Sequence, residues 1–212
     1  WLRVEDAVAH LGVTVREVAL LEGSCGWGEF GPFLEYEPAE AARWLVSAVE
    51  SAWVGWPAPV RASVPVNATV PAVPAAEVAA VMAAFPGCGT AKVKIAEPGQ
   101  TAADDQARLE AVRAVLGSAG HIRVDANGGW DLDRAAQLLP LYDRAAGGLE
   151  YAEQPCATVE EMAALRRRVD IPIAADESIR RVNDPIRVAR LGAADVAVLK
   201  VQPMGGVRVC LR

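Results

Sequence analysis

From residue 64 onward, short apolar runs alternate with longer stretches whose apolar residues recur every three or four positions, the pattern of strands separated by helices. The spacing predicts strands over 64–70, 91–96, 121–125, 148–153, 171–175 and 194–201. Helices are expected over about 74–85 and over 101–116, the latter presenting Leu109, Val112, Val115 and Leu116 and stopped by Gly117. Asp131 can cap a third helix reaching Ala146. Thr158-Val-Glu-Glu161 reads as a capping box, and Asp184-Pro185 places a capping Asp before a proline at the first helical position.

The first sixty residues follow another pattern. Residues 13–21 alternate weakly and read as a strand entering Gly23-Ser-Cys-Gly-Trp-Gly28. A phosphate-binding loop would open a helix at once, whereas Glu29-Phe30-Gly31-Pro32 follows, so a hairpin turn is expected. Residues 38–53 read as a helix with Ala41, Leu45, Ala48, Val49 and Ala52 on one face. Pro57 and Pro59 mark the boundary between a domain of residues 1–60 and a second of 61–212.

Strands joined by helices of this length pair in parallel through right-handed crossovers, as an open doubly wound sheet or as a barrel. Charge placement favours the barrel. Lys92 and Lys94, Asp125, Glu153, Asp176 and Lys200 stand at or near the carboxyl ends of five successive strands. A closed barrel gathers such ends around one mouth, where barrel enzymes place their chemistry; an open sheet would spread them along an edge.

Composition narrows the function classes. Lys plus Arg is 21 against 27 Asp plus Glu, a formal charge of −6, which speaks against nucleic-acid or anionic-membrane binding. No apolar run approaches the 18 or so residues that cross a bilayer, and no basic-then-apolar leader is seen, so a cytoplasmic protein without membrane insertion is expected. Cys25, Cys88, Cys156 and Cys210 are widely spaced and His10 and His121 are the only histidines, which argues against zinc or a disulfide framework. His121, at a strand start, is expected to be structural or solvated, and Arg166-Arg-Arg168 to complement a helix end. Trp27, Trp44, Trp53 and Trp56 are expected to pack in the core or within the first domain.

Three converging carboxylates resist joint ionisation unless a cation sits among them. Oxygen ligands without His or Cys select Mg²⁺, or Mn²⁺, over zinc. Lys92 and Lys94, two apart on a strand, share a face, and like-charge repulsion from Lys92 should lower the pKa of Lys94 towards that of a usable base. A metal and an ammonium group facing a carboxylate substrate would stabilise an enediolate, with a neutral lysine taking the α-proton.

Lys92-Val-Lys94, Asp125-Ala-Asn127, Glu153-Gln-Pro155, Ala175-Asp176-Glu177-Ser178 and Lys200-Val-Gln-Pro203 resemble the muconate-cycloisomerase branch of the enolase superfamily. The stretches 26–36, 94–99 and 125–130 are similar to the actinobacterial type of o-succinylbenzoate synthase. The resemblance implies a (β/α) barrel, here incomplete at about six strands, behind a partial N-terminal α+β capping domain. The chain then reads as truncated at both ends, opening on Trp1 and lacking the last two barrel strands. It implies Asp125, Glu153 and Asp176 as Mg²⁺ ligands, Lys94 as the base, Lys92 as its electrostatic partner and Lys200 as the opposite lysine. Asn127, Gly205 and Gly206 are implied as lesser substrate contacts. The implied reaction is syn dehydration of 2-succinyl-6-hydroxy-2,4-cyclohexadiene-1-carboxylate to o-succinylbenzoate in menaquinone biosynthesis. An N-succinylamino-acid racemase or dipeptide epimerase would use the same residues, with Lys94 and Lys200 as two bases. A catalytically silent fragment is the alternative of another class.

Overall fold

The computed structural model describes residues 2–5, 15–181 and 184–212; His10 lies outside them. The chain divides into two compact units, Trp1–Ser63 with Leu199–Arg212, and Val64–Val198.

In the first unit, strands β1 (Leu2–Glu5), β2 (Val15–Gly23) and β3 (Gly26–Phe30) form an antiparallel sheet in sequential order. The expected hairpin turn is present, with Gly23 paired to Gly26. Helix α1 (Pro38–Val49) continues into a wider π-type turn at Glu50–Val54. It lies so close to the hairpin that a Cβ at Gly23 or Gly28 would strike the carbonyl of Ala52 or Ala48. The buried face of α1 is Trp44, Ser47 and Ala48, whereas Leu45 and Val49, expected inside, are exposed. Of the four tryptophans expected to pack, only Trp44 is buried, edge-on to Phe33 and Tyr36; Trp27, Trp53 and Trp56 are about half exposed.

The second unit holds six parallel strands: β4 (Ala68–Val70), β5 (Thr90–Lys94), β6 (His121–Asp125), β7 (Tyr151–Glu153), β8 (Ile173–Ala175) and β9 (Val196–Ala197). Each strand pairs with its sequence neighbours, in the order β4-β5-β6-β7-β8-β9. A doubly wound sheet would reverse direction part-way. The unbroken order is that of an incomplete (β/α) barrel. Helices α2 (Val78–Ala83), α3 (Ala102–Leu116), α4 (Leu132–Ala146), α5 (Val159–Leu165), α6 (Glu177–Arg180) and α7 (Arg187–Arg190) fall between or after the strands. Two short helices close the chain in the first unit, α8 (Val201–Met204) and α9 (Val207–Cys210).

Capping fixes where the main helices begin. Thr101 with Asp104 opens α3 and Thr158 with Glu161 opens α5, each as a reciprocal capping box, and the Asp131 carboxylate accepts the Arg134 N–H at the start of α4. The expected Asp184 cap is absent: Ile186 precedes α7, and the Asp184 side chain pairs with Arg190 instead. The core lies between sheet and helices, where Val93, Ile122, Val124, Leu109, Val112, Leu139 and Tyr142 are fully buried. Val115, expected on the inner face of α3, is exposed, and the same helix buries Arg108 completely.

The last strand is shorter than the expected 194–201, because Val201 already begins α8. Leu199–Arg212, assigned by sequence to the barrel domain, packs with the first unit. The Glu50 carboxylate provides a physical reason, accepting the N–H of Val207 (2.6 Å) and of Arg208 (3.2 Å) and the Arg208 guanidinium (2.9 Å). Burial works against the Glu50 charge, but these donors hold its carboxyl below the usual range. Among the described residues no helix is long and apolar enough to cross a membrane.

Candidate active site at the strand ends

Strand register brings the site together. Lys94 is the cross-strand partner of Asp125, Asp125 of Glu153 and Glu153 of Ala174, so three ionisable residues share one row across β5, β6 and β7. In-register residues of parallel neighbours point the same way. Lys92 lies two residues back on the same face, beside Arg123, and its side chain reaches forward. Its ammonium donates to Asp125 Oδ2 (2.9 Å) and Glu153 Oε1 (3.0 Å). Lys94 Nζ donates to the same Asp125 oxygen and to Asn127 Oδ1, both at 2.6 Å. Asp176 follows β8, fully buried, and pairs with Arg180 Nε at 2.8 Å.

These contacts change the electrostatic expectation for the lysine pair. The Asp125 carboxylate stands between the two ammonium groups, so simple repulsion between them does not govern. Burial opposes a charge on Lys92, but Asp125 and Glu153 outweigh it and raise its pKa. Burial likewise opposes ionisation of Asp125, yet Lys92 and Lys94 hold its carboxyl below the usual range. Glu153 moves the other way, pushed up by burial and by the charges of Asp125 and Asp176 despite Lys92.

Among the described residues no three His, Cys, Asp or Glu side chains are placed to hold an ion. Protein cations take the carboxylate oxygens instead, Lys92 and Lys94 at Asp125, Lys92 at Glu153 and Arg180 at Asp176. The donor chemistry still fits a hard divalent cation. Three buried carboxylates follow one another on adjacent strand ends, an all-oxygen donor set of the kind such a cation takes.

Asn127 is spent on holding other groups, accepting from Lys94 and donating its amide to Glu177 Oε1 at 3.1 Å. Lys200 precedes α8, and Gly205 and Gly206 follow it with φ of 95° and 122°; all three belong to the first unit. His121 is exposed at the opposite end of β6 from Asp125.

Several residues of this region escaped the sequence reading. Fully buried Arg108 donates to the carbonyl of Lys94 (3.0 Å), to that of Val73 (2.7 Å) and to Asp105 Oδ1 (2.7 Å), anchoring the backbone from which Lys94 projects. Asp105 also accepts from Ala96 N–H (3.1 Å) and from Tyr142 (3.0 Å), whose hydroxyl pKa is raised by burial and by that carboxylate. Gln154, 1% exposed, lies between the β7 and β8 loops. Its available signal was a polar residue wedged between a strand-end Glu and a Pro, where an apolar strand gives no reason for an amide. The loops after β6 and β7 also remain joined beyond the strands: Gly128 N–H donates to Gln154 O at 2.7 Å, and Trp130 forms an isolated parallel bridge with Cys156.

A (β/α) barrel segment with lysines and carboxylates on consecutive strand ends defines a class. The chain belongs to the enolase family: residues 74–212 match the enolase C-terminal domain-like model and residues 7–52 the enolase N-terminal domain-like model. Within that family, it is 61% identical over 201 residues to o-succinylbenzoate synthase of Thermobifida fusca, covering 95% of this chain and 62% of that protein. The chain thus spans about three-fifths of the length of the curated relatives it matches. Among solved structures, dipeptide epimerase from Enterococcus faecalis superposes with a TM-score of 0.80 at 18% identity, covering 99% of this chain and 74% of that one, and shares the fold. O-succinylbenzoate synthase from Thermosynechococcus elongatus, complexed with Mg in its active site, gives 0.58 at 25% identity, covering 84% and 65%.

Proposed function

We propose that this chain carries the catalytic strand ends of an o-succinylbenzoate synthase, a lyase acting on a small carboxylate in the cytoplasm during menaquinone synthesis. The single observation that carries the reading is the in-register row Lys94, Asp125, Glu153, found in a chain 61% identical to a relative of that name. Asp125, Glu153 and Asp176 would hold Mg²⁺, with Mn²⁺ as its substitute. An ion held there would supply positive charge to the substrate carboxylate.

The other steps belong to side chains. Lys94 Nζ takes the α-proton, held in place by Asn127 Oδ1 and Asp125. Lys92 stays protonated beneath it, paired with Asp125 and Glu153. By resemblance to the family, Lys200 would supply a further stabilising cation. The proton taken by Lys94 passes to the hydroxyl departing on the same face, which leaves as water as the ring becomes aromatic, so the demanding step is the first proton removal.

The test incubates the full-length protein with 2-succinyl-6-hydroxy-2,4-cyclohexadiene-1-carboxylate, with and without Mg²⁺, and follows formation of o-succinylbenzoate. Metal-dependent formation supports the reading. Racemisation of N-succinylamino acids without dehydration overturns it in favour of the racemase, and no turnover with no Mg²⁺-induced rise in Tm overturns it in favour of a catalytically silent protein.

A further inference from the structure

We infer that Gln154 is a positioning residue that sets the spacing of the strand-end carboxylates, Asp176 above all; this rests on the metal-binding reading above. Its side chain uses every hydrogen-bonding position it has. Oε1 accepts the backbone N–H of Asp176 and of Ser178, both at 3.1 Å. Nε2 donates to the carbonyl of Cys156 at 2.9 Å and to Ser178 Oγ at 2.6 Å. Two backbone N–H groups face one atom of the amide, so that atom is the oxygen and the orientation is fixed by chemistry.

The main chain of Gln154 adds two further ties. Its N–H donates to Ala174 O at 2.8 Å, and its carbonyl accepts Gly128 N–H at 2.7 Å. One residue therefore joins the segments that carry all three carboxylates: it follows Glu153 directly, binds the loop three residues beyond Asp125 and holds the amide of Asp176.

The backbone shows what this costs. Gln154 has φ +40°, a left-handed conformation in which a side chain is strained, and a glycine there would relieve it. Glycine could not supply the four side-chain bonds. The amide is also buried, where a lost partner is expensive, so the position is held by its bonding rather than by packing. Asp176 carries its carboxylate on a residue with φ −118° and ψ −75°, outside regular helix, and the Gln154 bond to its N–H fixes that turn.

Calorimetry of Mg²⁺ binding to the full-length protein tests the inference with Q154M, which keeps volume and removes all four side-chain bonds, and S178A, which removes only the hydroxyl partner. Partners that orient metal ligands are worth roughly 10–100-fold in affinity. Q154M is expected to weaken Mg²⁺ binding by about tenfold or more, with exchange protection lost at the Asp176 amide, and S178A by a few-fold with a near wild-type fold. Q154M binding Mg²⁺ as the wild type does overturns the inference alone. Should Q154M not fold, unchanged affinity in S178A overturns it equally. A wild type that binds no Mg²⁺ overturns the metal-site reading and this inference together.

Discussion

The two ends of the six-stranded sheet obey different rules. At the amino ends, left-handed turns fall to glycines, Gly87, Gly117, Gly147 and Gly192, with φ between 59° and 82°. At the carboxyl ends of β5, β6 and β7 the same conformation is taken by Ala96, Asn127 and Gln154, with φ of 61°, 46° and 40°. Such residues cost on the order of 1–3 kcal/mol each and persist where surrounding bonds compel them. Charges divide in the same way. Near the amino ends they are half-exposed and pair simply, as Arg166 does with Asp195, whereas Asp125, Glu153 and Asp176 are 0–1% exposed and share their cations. Strain and buried charge are concentrated at one end, which is the end a barrel uses for chemistry.

That contrast can be broken by substitution. The largest effect is expected for Lys94→Ala, which should lower kcat by about 10²–10⁴-fold in a protein that still folds cooperatively; steady-state kinetics beside a melting curve checks both. Next, Asp176→Asn should weaken Mg²⁺ binding by at least about tenfold in calorimetry. At the other end the effects should reverse in kind. Arg113 donates to the carbonyls of Ala146 (2.5 Å), Gly117 and Gly120 (both 2.7 Å), so Arg113→Ala should cost about 1–3 kcal/mol in chemical denaturation without altering kcat.

The smallest effect is one of pH. The Arg166 hydrogen bond, opposed by partial burial and aided by Ile173 N–H, holds the Asp195 carboxyl below its ordinary value. A depressed carboxylate contributes stability above the unfolded-state pKa of about 3.9 and loses it as pH falls through the lower folded value. Tm should therefore fall less steeply with acid in Asp195→Asn than in the wild type, and parallel acid limbs would remove Asp195 from the linkage.

Much of the contrast was legible in sequence because periodicity and charge conflict there. His121–Asp125 reads as a strand to the residue, and an Asp at its end has no packing reason, so β6 and a candidate site residue were legible together. The Thr101 and Thr158 caps were equally legible, since capping is local chemistry. What the sequence hid was partnership across the chain. Repulsion between Lys92 and Lys94 was visible from their spacing, but the Asp125 oxygen they share comes from another strand. Arg108 breaks the apolar face of α3 because its partners are carbonyls on Val73 and Lys94, which no periodicity reveals. The exposed Trp27, Trp53 and Trp56 show the converse, since apolar character alone does not say which side faces in.

The bonds that continue the sheet past Asp125 and Glu153, from Gly128 to Gln154 and between Trp130 and Cys156, make two loops into one heritable piece. Swapping either segment alone from a relative would import a turn whose counterpart no longer matches it. Laboratory recombination aimed at new acids should therefore place its crossovers outside 126–156 and exchange that block whole.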